Sequence, residues 1–231
     1  MTIRRTMKPV EPFLGNACPA WIAWAVLALL AIPIRAESTN SEAQARIDLL
    51  QKGLQGTTSV RTDFVQHRQL ALLQQEITIA GRIALEQSGR LAWRVATPLR
   101  CDFILDGATL RQWDEATGRE QKVSLKGNPI FDVVSRQMRG WFLGDFSPLL
   151  KDFEIDAPAD QPRCLVFRPR PGGFAAKAVR QVTLSCRPDR RYLDEITIEE
   201  CSGDRTRMVF SNTVLNVTLS PDEWKVGSHA R

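Results

Sequence analysis

Apolar and polar positions along the chain follow first a helical period and then a strand period. Ala43, Ile47, Leu50 and Leu54 recur at the spacing of one helix face. Thr39-Asn40-Ser41-Glu42 in front of them is a capping box, and Gly53 and Gly56 close the element, which predicts a helix over 41–54. From Ser59 the period falls to two. Short β-rich runs at 59–69, 76–86, 89–96, 100–106, 109–114 and 119–125 are separated by turn chemistry at Gln87-Ser88-Gly89, Thr97-Pro98, Asp106-Gly107 and Ala116-Thr117-Gly118. Asn128-Pro129 then opens a second helix, 129–142, with Ile130, Val134, Met138 and Trp141 on one face. Ser147-Pro148 opens a third, 147–153, with Leu149, Leu150 and Phe153 to bury. The strand period resumes at 163–169, 178–187, 192–200 and 205–214, with a further short strand over 215–219.

This is a meander of about ten or eleven antiparallel strands with one N-terminal helix and two helical pieces inserted midway, and strands in such number curl or close. On a curled sheet Ile77, Ile79, Ile83, Leu85, Leu91, Trp93 and Val95 line the concave face, while Arg82, Glu86, Arg90 and Arg94 point to water. The inserted helices have apolar faces to bury there. They either fill the interior or cover a cavity as a lid.

The first 36 residues have a different character. Arg4, Arg5 and Lys8 precede an apolar run of 15 residues, Ala20 to Ile34, and the segment ends Ile34-Arg35-Ala36. The run is short of the roughly 20 residues that span a bilayer, so it reads as an export signal cut after Ala36. A retained single-span anchor is the alternative, with Ile34 and Arg35 beside the cut in its favour. Residues 37–231 form a single domain on this reading. Composition adds one correction. The net charge is +5, but Arg4, Arg5, Lys8 and Arg35 against Glu11 put +3 of it in the signal. The +2 that remains gives no electrostatic reason for nucleic-acid binding.

Cys101, Cys164, Cys186 and Cys201 follow the signal, an even number suited to an oxidising compartment. Three pairings are open. Cys164 and Cys186 flank a hairpin turning at Pro171-Gly172-Gly173, which would place them opposite each other and leave Cys101 with Cys201. Buried thiols in strands are the other possibility. No C-x-x-C pair suggests zinc, and neither His67 nor His229 lies in a catalytic motif. No enzyme activity, catalytic residue, metal or cofactor is expected.

Four pieces in order carry a resemblance. Ser59-Val-Arg-Thr-Asp-Phe64-Val-Gln66 has the form S-x-x-x-x-F-x-Q; Gly81-Arg-Ile83-Ala-Leu85 is a glycine-led strand; Leu91-Ala-Trp93 leads to Pro98; and Phe103-Ile-Leu-Asp106-Gly107 precedes Leu110-Arg-Gln-Trp113-Asp114. This stretch resembles the periplasmic outer-membrane lipoprotein carrier family, the LolA type, and Gly203-Asp204-Arg205-Thr206 through Phe210 is similar to the last hairpin of a divergent branch. The resemblance implies an incomplete antiparallel β-barrel with a helical lid around an apolar cavity. It also implies a periplasmic carrier that takes up acyl chains of a lipoprotein or a related lipid and moves them toward the outer membrane. Expected lining residues are Leu85, Leu91, Trp93, Phe103, Ile130, Val134, Met138 and Trp141. Partners would be the acylated cargo, an inner-membrane donor and an outer-membrane acceptor, with the carrier a monomer. The alternative is an envelope module that senses lipid or lipoprotein, membrane-anchored if the apolar run is retained. Where the family carries an Arg-Pro pair whose arginine helps hold the lid closed, this chain has Gln87-Ser88.

Overall fold

The computed structural model describes residues 41–126, 137–172, 175–189 and 191–227. The export signal, the capping residues ahead of Ser41, and Ile130 and Val134 lie outside them. Helix α1, Ser41–Leu54, has the predicted bounds and buries Ala43, Ile47, Leu50 and Leu54. An ascending run of strands follows: β1 Ser59–Leu70, β2 Gln75–Glu86, β3 Leu91–Thr97, β4 Cys101–Asp106, β5 Thr109–Asp114 and β6 Glu120–Ser124. Next come the helical residues 137–143 (α2) and α3, Ser147–Asp152. A second run comprises β7 Phe153–Asp156, β8 Cys164–Pro169, the one-turn α4 Ala175–Ala178, β9 Val179–Cys186, β10 Leu193–Glu200 and β11 Arg205–Leu215. A 3-10 turn, Pro221–Trp224, lies near the end of the described chain.

These strands form one sheet in the order β6-β5-β4-β3-β2-β1-β11-β10-β9-β8-β7. Neighbours are antiparallel throughout, and β6 and β7 remain as unjoined edges. The barrel is open, as expected for an incomplete one. Nearly every contact along the order is a local hairpin, and only β1 against β11 brings distant sequence together. The long connection from β6 to β7 carries α2 and α3 from one edge of the sheet to the other.

Two local devices shape the sheet. Across from Gly81 of β2, Phe64 of β1 lays its ring toward Trp93 of β3, the two centroids 5.0 Å apart. A Cβ on Gly81 would collide with the Arg94 carbonyl oxygen, so the strand register here requires glycine. On the other flank of β1 the ladder shifts between Arg61 and Asp63, where Asn212 of β11 takes φ 52° and donates to Asp63 Oδ2 at 2.9 Å. This is a bulge that turns the strand where β11 carries one extra residue against β1.

Three expectations are corrected. Phe153 is not the tail of a helix: it opens β7 and pairs with Pro169 of β8. The run 215–219 is not a strand, since β11 ends at Leu215. The hairpin does not place Cys164 and Cys186 opposite each other. Cys164 stands across from Ser185, its Sγ 3.4 Å from the Ser185 hydroxyl, so Cys186, one residue further, projects from the opposite face. Cys201 sits in the β10–β11 turn, its thiol donating to the Ala176 carbonyl at 3.6 Å, four strands away from Cys101 on β4. Among the described residues no helix is long and apolar enough to cross a membrane.

Candidate functional site

One face of the sheet is apolar from β4 across to β7. Register pairs Phe64 with Gly81, Ile83 with Trp93, Trp93 with Phe103 on one flank, and Phe64 with Phe210, Ile196 with Leu184, Leu184 with Leu165 on the other. Alternation therefore assigns a single inner face to residues from all these strands. Leu85, Leu91 and Trp93 are at most 7% exposed, and Phe103 packs half-buried beside them. Met138 and Trp141 of α2, 7% and 5% exposed, belong to the same cluster. All six expected lining residues within the described chain are thus brought together.

The cover over this face is made of short helices. From α2 and its flanks come Met138, Trp141, Phe142 and Phe146, from α3 Leu149, and from α1 Ile47 and Leu50. Phe142 meets Phe210 edge-on at 5.1 Å between centroids. α1 is tied at both ends of its contact: Arg46 donates to the carbonyls of Gln161 and Cys164 at 2.8 and 3.1 Å, and Gln51 to that of Gly144 at 3.3 Å. Toward the sheet itself α2 presents Met138, Trp141 and Phe142.

The outer face holds what the alternation pattern misjudged. Arg94 does not point to water: it is 9% exposed, and its Nη1 donates to Asp102 Oδ2 at 2.8 Å. Its Nη2 donates to the carbonyls of Asp222, Glu223 and Lys225 at 3.2, 2.9 and 2.7 Å. Asp102 Oδ2 also accepts from the Gly227 amide at 2.7 Å, and Arg111 donates to the Trp224 carbonyl. Trp224 thereby lies over Ala84, Ala92 and Ile104, with Arg90 stacked on its ring at 4.3 Å. The C-terminal residues form a strap across β2, β3 and β4. A sequence signal existed: Arg94 and Asp102 face each other directly across β3 and β4, and a facing pair of opposite charges amid buried neighbours suggests a covered site.

Beside the strap, on the same outer face, is a cleft of about 840 Å³ whose walls include Asp63, Arg82, Arg100 and Glu223. Mixed charge makes it a poor acyl-chain site. Arg90 and Arg94 both belong to this face, so neither takes over, from Gln87, the lid contact that the resemblance implies. Gln87 itself is exposed in the β2–β3 turn, where its amide donates to the Thr58 carbonyl.

At one end of β1 the inner face turns polar. Arg68 Nη2 lies 3.1 Å from Glu200 Oε1 and 3.3 Å from Asp204 Oδ2, and Asp204 Oδ1 caps the Ala71 amide at 3.0 Å. Burial, with Asp204 alongside and against the pull of Arg68, raises the Glu200 carboxyl above its ordinary range. His67 is on the outer side, its Nδ1 3.0 Å from Glu76 Oε1 and 3.3 Å from the Thr78 hydroxyl, an exposed cross-strand contact.

Against known families, residues 55–226 match the one described as "Outer membrane lipoprotein carrier protein LolA". The chain belongs to that family. The match begins directly after α1 and takes in all eleven strands and the turn Pro221–Trp224 of this LolA-family protein. No curated protein matches the chain in sequence. Among solved structures, a LolA superfamily protein from Nitrosomonas europaea is similar at 10% identity and a TM-score of 0.44, over 79% of this chain and 97% of that one. LppX of Mycobacterium tuberculosis, a lipoprotein, is similar at 14% identity and 0.43, over 76% and 96%. A chain of the Pseudomonas aeruginosa MucA/MucB complex is similar at 13% identity and 0.44, over 81% and 62%.

Proposed function

We propose that this LolA-family protein is a periplasmic carrier: residues 1–36 direct export, and the single domain 37–231 buries acyl chains of a lipoprotein or a related lipid against the inner face of the sheet. It accepts them from an inner-membrane donor and releases them toward an outer-membrane acceptor, acting as a monomer without covalent chemistry. The observation that supports this most is the nature of the cover. The larger apolar cluster among the described residues is covered by α1 and by α2 and α3, short helices carried on a connection between the two sheet edges.

Transferring a methylene from water into an apolar site gains about 0.8 kcal/mol, so a chain of sixteen carbons has on the order of 10 kcal/mol to set against displacing the helices. Met138, Trp141 and Phe142 would return as the chain leaves, and the interior never stands open to water. Uptake and release then differ by a small margin, which suits a carrier that must let go.

Two truncations test this in opposite directions. Met138→Ala weakens the cover, costing about 2 to 3 kcal/mol of stability, and is expected to tighten binding of a fluorescent fatty acid several-fold because less packing must be displaced. Trp93→Ala removes the floor and is expected to weaken both stability and binding. Equal losses in the two variants would show that α2 is fixed core and not a lid. Native mass spectrometry of the protein taken from the cell envelope would identify the cargo. Bound acylated polypeptide supports the lipoprotein carrier and free lipid a lipid carrier. A protein that neither carries nor takes up any acyl chain would overturn the reading in favour of a sensing module.

A further inference from the structure

Three polar side chains are buried on the inner face with donors that no group among the described residues satisfies. Gln66 is 2% exposed, Arg68 5% and Thr206 1%. Gln66 Nε2, Arg68 Nε, Arg68 Nη1 and Thr206 Oγ1 have no hydrogen-bond partner among the described residues. They form one cluster. Arg68 and Thr206 face each other across β1 and β11, and Gln66 lies two residues along β1 with Met208 opposite. Alternation puts all three on the same side as Phe64 and Phe210.

Buried donors left unpaired are rare in folded proteins, because each loses its water without compensation. Several in one place, at the rim of an apolar surface, make a set of donors that a ligand's acceptor oxygens could satisfy. The cluster adjoins that lid: Phe142 of α2 packs on Phe210, one inward-facing position, about 7 Å, from Met208 and Gln66. Lifting α2 would uncover a hydrocarbon floor ending in a row of donors.

Charge selects the chemistry. Arg68 is the cation, but its Nη2 already meets two carboxylates, Glu200 at 3.1 Å and Asp204 at 3.3 Å. With all three ionised the surroundings carry one net negative charge, which opposes a phosphate or a free carboxylate. The vacant donors still call for acceptor oxygens. We infer that Gln66, Arg68 and Thr206 form the head-group end of the acyl site and recognise uncharged carbonyl oxygens, the ester or amide groups where acyl chains join their carrier molecule. The inference rests on the acyl-chain reading of the inner face and adds how the ligand is oriented: chain ends toward α2 and Trp93, carbonyls toward the β1–β2 turn.

The test uses chain-matched ligands that differ only at the head. A monoacylglycerol supplies an ester carbonyl, its alkyl ether analogue lacks it, and a lysophosphatidic acid adds an anionic phosphate. Binding to the full mature chain is followed by displacement of a fluorescent fatty acid. The ester is expected to bind about tenfold tighter than the ether, and the ratio to fall toward one in Gln66→Met and in Thr206→Val. Chemical denaturation of the two unliganded variants is expected to show them no less stable than the parent, because each removes an unpaired buried donor. Equal binding of ester and ether in the parent overturns the head-group site while leaving the acyl-chain reading intact. Preferential binding of the phosphate overturns the uncharged-carbonyl assignment. Failure of every ligand to bind removes the acyl-chain reading itself.

Discussion

Two arginines, one on each face of the sheet, are buried to a similar degree and are treated in opposite ways. Arg94, 9% exposed, spends its donors on its own chain: Asp102 and the carbonyls of Asp222, Glu223 and Lys225 in the strap. Arg68, 5% exposed, has Nη2 held by two carboxylates while Nε and Nη1 meet nothing among the described residues. The first is a staple. It fixes the C-terminal residues to the outer face with directional bonds that an acyl chain cannot imitate. The second stands beside a face closed by hydrocarbon contacts, which an acyl chain can replace one for one. Satisfied polar bonding locks a surface, and unsatisfied donors next to displaceable packing leave one ready for a ligand.

The contrast can be broken most severely at Arg94. Arg94→Met leaves Asp102 buried without its cation and is expected to cost about 3 to 5 kcal/mol in urea denaturation, with new protease cleavage in residues 216–227. Adding Asp102→Leu should recover part of that loss. A cost below about 1 kcal/mol would show that the pair is not what holds the strap. Next in size, Trp224→Ala is expected to lose about 3 kcal/mol, and to do so without weakening acyl-chain uptake, since Trp224 packs on Ala84, Ala92 and Ile104 of the outer face. Weakened uptake would mean that the two faces are coupled.

On the other side the expected sign reverses. Combining Gln66→Met with Thr206→Val should raise the melting temperature, by an amount corresponding to about 1 kcal/mol, at the expense of ligand selectivity. The smallest effects are in the acid limb. At Asp63, burial pushes the carboxyl up, but the hydrogen bonds from Arg82 and Asn212 together with the charges of Arg82 and Arg61 hold it below its ordinary range. Its contribution is therefore present above the unfolded pKa and lost as the pH falls through the folded one. Glu200 runs the other way. Its folded pKa is raised, so the cost of its buried charge is relieved as the pH falls through that value. Asp63→Asn should flatten acid destabilisation and Glu200→Gln steepen it, each by less than about 1 kcal/mol. Parallel shifts in a pH series of urea midpoints would contradict these signs.

Most of the sheet was legible because each strand carries its own alternation and each hairpin its own turn chemistry. Strand β5, predicted at 109–114, is observed as Thr109–Asp114, and α1 has its predicted bounds. β7 was hidden because four residues, Phe153–Asp156, are too few to establish a period after a helix. Arg94 was misplaced because alternation reports which way a side chain points, not what later comes to lie on it; residues 222–227 cover it from more than a hundred positions away. The cysteines failed on parity, since a one-residue offset in register puts Cys186 on the face opposite Cys164. Of the candidate site, the apolar cluster that holds Leu85, Leu91, Trp93, Phe103, Met138 and Trp141 could be read from the pattern. The polar end could not, because Gln66 and Arg68 occupy positions in β1 whose inward direction only becomes anomalous once burial and missing partners are known.

The order of the strands has a consequence for how the chain could be divided. Its first and last strands meet in the middle of the sheet, where nine register pairs run between β1 and β11, while the helical connection joins the two outer edges. A single cleavage between β6 and α2 would therefore cut no ladder. The two fragments, each a contiguous series of hairpins, would meet along the β1–β11 ladder, with Phe64 and Phe210 at its centre, and again where the strap crosses the outer face and α1 meets Gly144, Gln161 and Cys164. Such a molecule is built like a clasp: the hinge lies at its chain ends and the catch halfway along its sequence. Fragments produced separately should find each other through the β1–β11 seam and rebuild the sheet with the catch undone.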